Sequence, residues 1–354
     1  MIFVTGGAGF IGSNFILNWI KTTDENIINI DKLTYAGNLK NLEEIESNDR
    51  YKFYKCDIGD AEKVEALLEK YSPRAVINFA AESHVDRSIS NPDEFIKTNI
   101  VGTFNLLNST LNYWKKLDLD TQSKFRFLHV STDEVYGSLE KDDLAFSELN
   151  QYRPNSPYSA SKASSDHLVR SYFHTYNLPV LTTNCSNNYG PLHFPEKLIP
   201  LCINNAINGK DIPIYGDGQQ IRDWLYVEDH CSAIQNVLSK GRIGEVYNIG
   251  GNNEIKNLDV VNNICEILDD LKPKNNGTSY KNQISFVEDR NGHDIRYAID
   301  ASKISNELSW NPKETFETGI LKTINWYLNN QDWVENVTSG QYKDWIKGQY
   351  GKNS

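Results

Sequence analysis

The stretch Ile2-Phe3-Val4-Thr5-Gly6-Gly7-Ala8-Gly9-Phe10-Ile11-Gly12 decides the fold. A short apolar run ends in glycines and an apolar helical pattern follows at once. The order is therefore strand, tight loop, helix. The glycines recur as Gly-x-x-Gly-x-x-Gly. Gly6 can make the tight turn, Gly9 lets backbone approach a pyrophosphate, and Gly12 lets the helix pack closely on the sheet. The helix N-terminus then offers unpaired N–H groups to phosphate. A glycine pattern alone is weak, because any glycine turn before a helix shows it. Here Asp31 ends the second apolar run about 20 residues on, where an acid binds the adenosine ribose of a dinucleotide. A carboxylate there disfavours a 2′-phosphate, which selects NAD over NADP, and the adjacent Lys32 softens that selection.

The same rhythm extends outward from the loop. Further strands are expected over 27–30, 52–56, 75–79, 125–130 and 180–184. Amphipathic segments lie between them, such as 61–71 with Val64, Leu67 and Leu68 on one stripe. This alternation predicts an α/β fold, a Rossmann-type doubly wound parallel sheet with helices on both faces. After Pro191 the pattern loosens into a helix over 195–208, a strand and turn over 213–217, a helix over 258–271 and a polar loop over 272–282. Residues 1–190 are expected to form the NAD-binding domain. Residues 191–354 are expected to form mainly a smaller mixed α/β substrate domain, with a segment near 221–250 returning to the first. From Gln331 the chain carries Trp333, Tyr342, Trp345 and Tyr350, too aromatic for a merely solvated tail, so packing is expected.

The formal net charge of −11 argues against general nucleic-acid binding, which needs a basic face. It leaves room for anionic ligands held by a few placed Arg and Lys. The five cysteines are widely spaced and form no Cys-x-x-Cys, so neither a disulfide framework nor a zinc site is indicated and a reducing cytoplasm is expected. The seven histidines show no ligand-like spacing with acids, so no metal is assigned. Met1 runs directly into the first strand, so no signal peptide is expected, and no apolar run reaches the ~20 residues that cross a bilayer.

Residues 129–137 read His-Val-Ser-Thr-Asp-Glu-Val-Tyr-Gly, and Tyr158 and Lys162 follow four residues apart. If 159–177 is a helix, the phenol and the ammonium lie one turn apart on one face. A Lys beside a phenol favours the phenolate, making Tyr158 a base near neutral pH. A bare Tyr-x-x-x-Lys is common in helices; its place after the fifth strand gives it weight. Thr132-Asp133-Glu134 read in isolation as a helix cap. Parallel sheets, however, bind ligands at the carboxyl ends of their strands. Two adjacent carboxyls there would couple, and could be driven apart into a neutral acid and a charged base, as an elimination requires.

Taken together these stretches resemble the extended short-chain dehydrogenase/reductase family, and within it the nucleotide-sugar dehydratases that act on dTDP-glucose. The resemblance runs through 4–12, 31–38, 80–89, 129–137, 157–170, 183–190, 194–200, 213–216, 221–230 and 289–294, nearly the whole chain. It implies a cycle in which Tyr158 takes the proton of the sugar 4-hydroxyl while hydride leaves C4 for the nicotinamide. Glu134 would then remove the C5 proton, Asp133 would protonate the departing 6-hydroxyl, and Thr132 would hydrogen-bond the 4-oxygen. The hydride returns at C6, giving a 4-keto-6-deoxy sugar. The implied NAD contacts are Gly6, Gly9, Phe10, Ile11 and Gly12, then Asp31, Lys32, Leu33 and Thr34. Asp57 and Ile58 would hold the adenine edge, though Asp57 reads equally as a helix cap. Phe79, Ala80, Ala81, Ser83, Thr98 and Asn188 complete the set with Tyr158 and Lys162.

On the substrate side the resemblance implies Arg222, Asp289, Arg290 and His293 around the diphosphate. Pro213 and Tyr215 would flank the thymine, Ser83 and Thr132 would meet the sugar, and Asn187, Lys197, Leu198 and Asn257 would line the same pocket. His84 reads equally as a satisfied buried histidine. Asn291 stands where the family often has proline, and the stretch between Gly137 and Tyr158 is shorter than in some relatives. A homodimer is implied through helices near 92–113 and 159–177, the second offering Leu168, Val169, Tyr172, Phe173 and Tyr176, a stripe that more often forms ordinary core. A nucleotide-sugar 4-epimerase on the same scaffold would need Tyr, Lys and the hydroxyl but no acid/base pair. A non-catalytic NAD-binding regulator predicts damage to those groups, and none is damaged.

Overall fold

The computed structural model describes residues 1–290 and 292–339. Its strands are β1 (Ile2–Thr5), β2 (Ile27–Asp31), β3 (Tyr51–Lys55), β4 (Ala75–Asn78), β5 (Arg126–Thr132), β6 (Val180–Cys185), β7 (Asn187–Tyr189), β8 (Ile212–Tyr215), β9 (Ile221–Tyr226), β10 (Val246–Ile249), β11 (Glu254–Lys256) and β12 (Ile284–Val287). Seven of them form one parallel sheet in the order β10-β6-β5-β4-β1-β2-β3. Every residue of β1, β2, β4 and β6 is buried. Their Ile, Val and Leu content suits strands covered by helices on both faces. The strand order reverses between β1 and β4, which opens a crevice at their carboxyl ends. The expected doubly wound fold is therefore present, and each expected strand of this half lies within two residues of its place.

Local chemistry sets the helix limits. Helix Ala61–Tyr71 starts where the Asp60 carboxylate accepts from the Lys63 N–H and stops at Ser72 in the left-handed region. It buries Val64 and Leu68. Helix Pro157–Tyr176 has proline first, a reciprocal Ser156/Ser159 capping box, and left-handed Asn177 at its end.

The second half departs from expectation in three places. The helix expected from 195 begins only at Leu198. Pro195 disfavours helical backbone before it, and the Glu196 and Lys197 side chains are committed to the crevice instead. The loop expected to 282 leads into β12, which pairs in parallel with β8. Of 221–250, β10 does return to the main sheet beside β6, but β9 does not; it sits between β7 and β11 in a three-stranded sheet.

Core packing joins the two halves. Phe15, Ile16 and Trp19 share one apolar cluster with Val227, Ile234, Val237, Ile304 and Trp310. A second cluster gathers Ile203, Val261, Ile264, Phe316, Ile320 and Trp333. Each such side chain contributes about 1.5–3 kcal/mol on burial. Trp333 also donates its indole N–H to Asn41 Oδ1 at 2.8 Å. Packing of the aromatic tail thus holds for Trp333; Tyr342, Trp345 and Tyr350 lie outside the described residues, as does Asn291. The short 138–157 stretch is pinned by Leu139 N–H to the Arg296 carbonyl (3.0 Å) and Phe146 N–H to the Ala298 carbonyl (2.9 Å).

Candidate active site

A cavity of about 430 Å³ runs along the carboxyl ends of β1, β2, β4, β5 and β6 and under the second half of the chain. Gly6, Gly9 and Gly12 build one end. Gly6 takes φ +69°, and a Cβ there would lie 2.6 Å from the Ala80 nitrogen. A Cβ on Gly12 would lie 2.4 Å from the Gly6 carbonyl oxygen, so helix Phe10–Thr22 meets the loop only because that side chain is missing. A Cβ on Gly9 would have one neighbour within 4 Å, the Gly6 oxygen at 3.4 Å, and would project into the cavity that Gly9 lines. No side chain caps the helix at Gly9, so its first N–H groups face the same space. This cradle fits a pyrophosphate.

Asp31 accepts from the Ala8 N–H (2.9 Å) and the Leu33 N–H (2.8 Å), and burial still raises its carboxyl against those two bonds. Lys32 Nζ lies 2.9 Å from Asp57 Oδ2, so the cation that softened the case for NAD has its own partner. Asp57 also accepts from the Gly59 N–H in a local turn; the helix that follows is capped by Asp60, so the cap reading of Asp57 does not hold. Phe10, Ile11, Thr34, Ile58, Phe79, Ala80, Ala81, Ser83, Thr98 and Asn188 all line the cavity. Leu33 does not. Its backbone turns left-handed to bring its N–H to Asp31, and the side chain leaves the wall.

Tyr158, Lys162, Thr132 and Glu134 meet on the facing wall. The Lys162 ammonium does not bond the phenol. It donates to the Val130 carbonyl at 2.8 Å and stands 3.5 Å from His129 Nε2. His129 Nδ1 accepts from the Asn78 amide, whose oxygen takes the Thr5 hydroxyl proton. That leaves the ring proton on Nε2, 3.3 Å from Asp166 Oδ1. His129 is fully buried, and burial together with Lys162 lowers it to about 4, so it is neutral. A neutral scaffold therefore fixes Lys162. Burial raises the Tyr158 phenol well above its usual value, with Glu134 and Cys185 adding to the rise and Thr132 opposing it. The expected ammonium–phenol pairing is not formed here, and burial is the largest influence on a phenol 8% exposed.

The Thr132-Asp133-Glu134 trio serves both readings. Thr132 Oγ1 accepts from the Glu134 N–H at 3.3 Å, capping a short turn over Asp133–Tyr136. Glu134 faces the cavity, but Asp133 does not; it is 1% exposed and lies behind Thr132, whose hydroxyl is 3.4 Å from its Oδ1. Burial, then Glu134 and Asp223, push Asp133 well up. Burial also raises Glu134, but Lys197, Arg222 and Arg290 pull it back. Both carboxyls move in the same direction, and Asp133 is pushed the further of the two.

The far end carries the cations. Arg222 stacks 4.3 Å over the Tyr297 ring and donates to the Ile221 and Asp294 carbonyls. Arg290 lies 4.8 Å over the Tyr215 ring, and Lys197 Nζ donates to the Ser83 carbonyl at 2.9 Å. Asn187, Leu198, Pro213, Asn257 and His293 also line this end. Asp289 does not; it lies on the exposed side, 2.6 Å from His293 Nδ1, and orients that ring. Sequence reasoning did not assign Glu196, Phe194, Trp224, Asp294 or Tyr297, all on the wall. Phe194, Glu196, Trp224 and Asp294 lay within stretches that carried the resemblance, the one signal available for them; Tyr297 lay outside every such stretch.

A family model described as GDP-mannose 4,6 dehydratase matches residues 3–323. The dTDP-glucose 4,6-dehydratase of Salmonella typhimurium is 58% identical over 357 aligned positions, covering 99% of this chain and 98% of its own. The chain belongs to the dTDP-glucose 4,6-dehydratase family. Two solved dTDP-glucose 4,6-dehydratase structures superpose along it. The one from Bacillus anthracis, in complex with NAD, is 47% identical with a TM-score of 0.83. The one from Streptomyces venezuelae, with NAD bound, is 41% identical with a TM-score of 0.86. Each covers 95% of this chain and 99% of its own. Membership of the dTDP-glucose 4,6-dehydratase family agrees with the resemblance drawn from the glycine loop and residues 132–134.

Proposed function

We propose that this protein dehydrates dTDP-glucose to dTDP-4-keto-6-deoxyglucose, with NAD as a redox partner restored in every turnover. The observation that carries the reading is one wall holding Tyr158, Lys162, Thr132 and Glu134, with the buried Asp133 carboxyl directly behind Thr132. The names of relatives 58% identical support the substrate, and the glycine cradle with Asp31 supports the cofactor.

Bound NAD supplies an acceptor for the C4 hydride and gives that hydride back at C6. Tyr158 would act as the phenolate, taking the 4-hydroxyl proton as C4 becomes a ketone; Thr132 hydrogen-bonds the phenol and Lys162 lines the same wall. The ketone acidifies C5–H, and Glu134 takes that proton. Asp133 supplies the proton with which the 6-hydroxyl leaves as water, reaching the cavity through the Thr132 hydroxyl beside it. Proton return to C5 completes the product. Arg222, Arg290 and Lys197 offer charge-assisted donors to the diphosphate, and Tyr215 with Pro213 offers a stacking face to the base.

An epimerase would use the same tyrosine, lysine and hydroxyl and would have no task for a buried carboxyl pair. Incubated with dTDP-glucose and no added cofactor, the protein should form the 4-keto-6-deoxy product. Glu134→Gln should lower turnover by about 10²–10⁴-fold while reduced nicotinamide accumulates. Clean conversion to the 4-epimer would overturn the dehydratase reading.

The active unit in this proposal is a homodimer. Ile89, Ile96, Val101, Phe104 and Tyr176 are each 43–49% exposed on the neighbouring helical segments 85–90, 96–115 and 157–176. Of the stripe on the last helix, Val169 and Tyr172 belong to the protein's own core. The division of labour is residues 1–190 for NAD and 191–354 mainly for the nucleotide-sugar. A cytoplasmic location accords with five free, buried cysteines. Among the described residues no helix is long and apolar enough to cross a membrane.

A further inference from the structure

We propose that Tyr35 and Arg87 form a latch with Glu196 that keeps the cofactor bound between turnovers. The inference rests on the cavity being the NAD site. Residues 31–38 fold back over the glycine loop: Leu33 turns left-handed, and the Asn38 N–H reaches the Ala8 carbonyl at 2.9 Å. They make a strap across the Asp31 end of the cavity. Tyr35 rides on this strap without lining the cavity itself, and packs against Arg87 and the wall residues Phe194 and Glu196. The Arg87 guanidinium lies 3.8 Å over its ring, and the Phe194 ring meets it edge-on at 5.7 Å. Arg87 Nε and a terminal nitrogen both reach Glu196 Oε2, at 3.2 and 3.1 Å. The Glu196 side chain is 1% exposed and is also hydrogen-bonded to Tyr35.

The three residues come from three places: the strap after β2, helix Val85–Ser90 after β4, and the segment before helix Leu198–Ile207. Together they close the strap against the second half of the chain. A cofactor leaving past the strap must part a cation stacked on an aromatic ring and disturb an ion pair whose carboxylate is buried. The preceding residue on the same helix, Asp86, holds Arg290 (3.4 Å) and the Tyr215 hydroxyl (3.4 Å) at the nucleotide-sugar end. Adjacent residues thus tie the cofactor strap and the diphosphate subsite to one short helix.

The test measures NAD release from the purified holoenzyme by exchange against excess labelled NAD, for the wild type, Arg87→Met, Tyr35→Leu and the double variant. Arg87→Met is expected to release NAD at least tenfold faster. Its turnover should fall without added NAD and recover at saturating NAD, a KM effect rather than a kcat effect. Tyr35→Leu leaves the buried ion pair intact, and carries the test if Arg87→Met does not fold. In the Arg87→Met background it should add less than it does alone. Release at the wild-type rate by both single variants, or additive effects in the double, overturns the latch. Wild-type protein that binds no NAD overturns the cofactor reading itself, a result distinct from the failure of the latch.

Discussion

Gly9 and Gly12, three residues apart, should fail in opposite ways when each is changed to alanine. A Cβ at position 12 would lie 2.4 Å from the Gly6 oxygen and 2.8 Å from Gly7 Cα, backbone atoms that cannot swing aside. Helix Phe10–Thr22 must back away by roughly 0.6–1 Å, and overpacking of this kind costs about 1–3 kcal/mol. For 354 residues that corresponds to a fall in Tm of about 1–4 °C. At position 9 the backbone (φ −83°, ψ 178°) suits alanine, and the Cβ meets only the Gly6 oxygen at 3.4 Å. A weaker N-cap and the entropy gained by replacing glycine offset each other to within about 1 kcal/mol. The added methyl instead occupies the space where a pyrophosphate approaches the helix amides. Loss of one charge-assisted bond, about 1.5–3 kcal/mol, weakens NAD roughly ten- to hundredfold. The assays are thermal unfolding, NAD content after purification, and turnover with and without added NAD. Gly9→Ala with wild-type NAD affinity refutes the pyrophosphate cradle. Gly12→Ala with unchanged Tm refutes the close-packing argument.

Two further outcomes follow from charge and from surface. Burial holds the Asp133 carboxyl well above its ordinary value, so the stability it contributes is present below pH ~4 and lost as pH rises through the folded value. Asp133→Asn escapes that loss. Its unfolding free energy relative to wild type should therefore grow as pH rises above about 4, by up to about 1.4 kcal/mol per pH unit until the folded value is passed, while dehydration collapses; a difference that does not change with pH from 4 upward would be incompatible with a raised carboxyl. Val101→Glu places a charge on the most exposed of the apolar side chains at the proposed dimer interface and should yield a folded monomer by sedimentation. An unchanged dimer would move the interface elsewhere.

Local signals carried much of the reading, and long-range ones were invisible. The strands of the main sheet were legible because apolar runs of four to seven residues between helical patterns have few other solutions in a compact chain. Gly6, Gly9 and Gly12 were legible because their spacing encodes a backbone shape. Tyr158 and Lys162 share a helix face, yet the ammonium's partner is the Val130 carbonyl on a neighbouring strand, which no helix periodicity reports. Leu33, Asp133 and Asp289 came with motifs whose neighbours line the cavity, and a motif does not say which of its side chains faces inward. β12 was missed because Ile284–Val287 is short and only half-buried, and its partner β8 is some seventy residues earlier.

The position of β10 bears on how the chain is made. It pairs with the outer edge of β6, and roughly sixty residues separate the two strands. At a synthesis rate of about 5–20 residues per second, the nascent sheet shows an open β6 edge for roughly 3–12 s before its cover emerges. An unpaired edge of buried residues invites another strand. Chains cut short anywhere before residue 246 should therefore be the aggregating species in cells, and holdase chaperones should engage this protein while it is still on the ribosome.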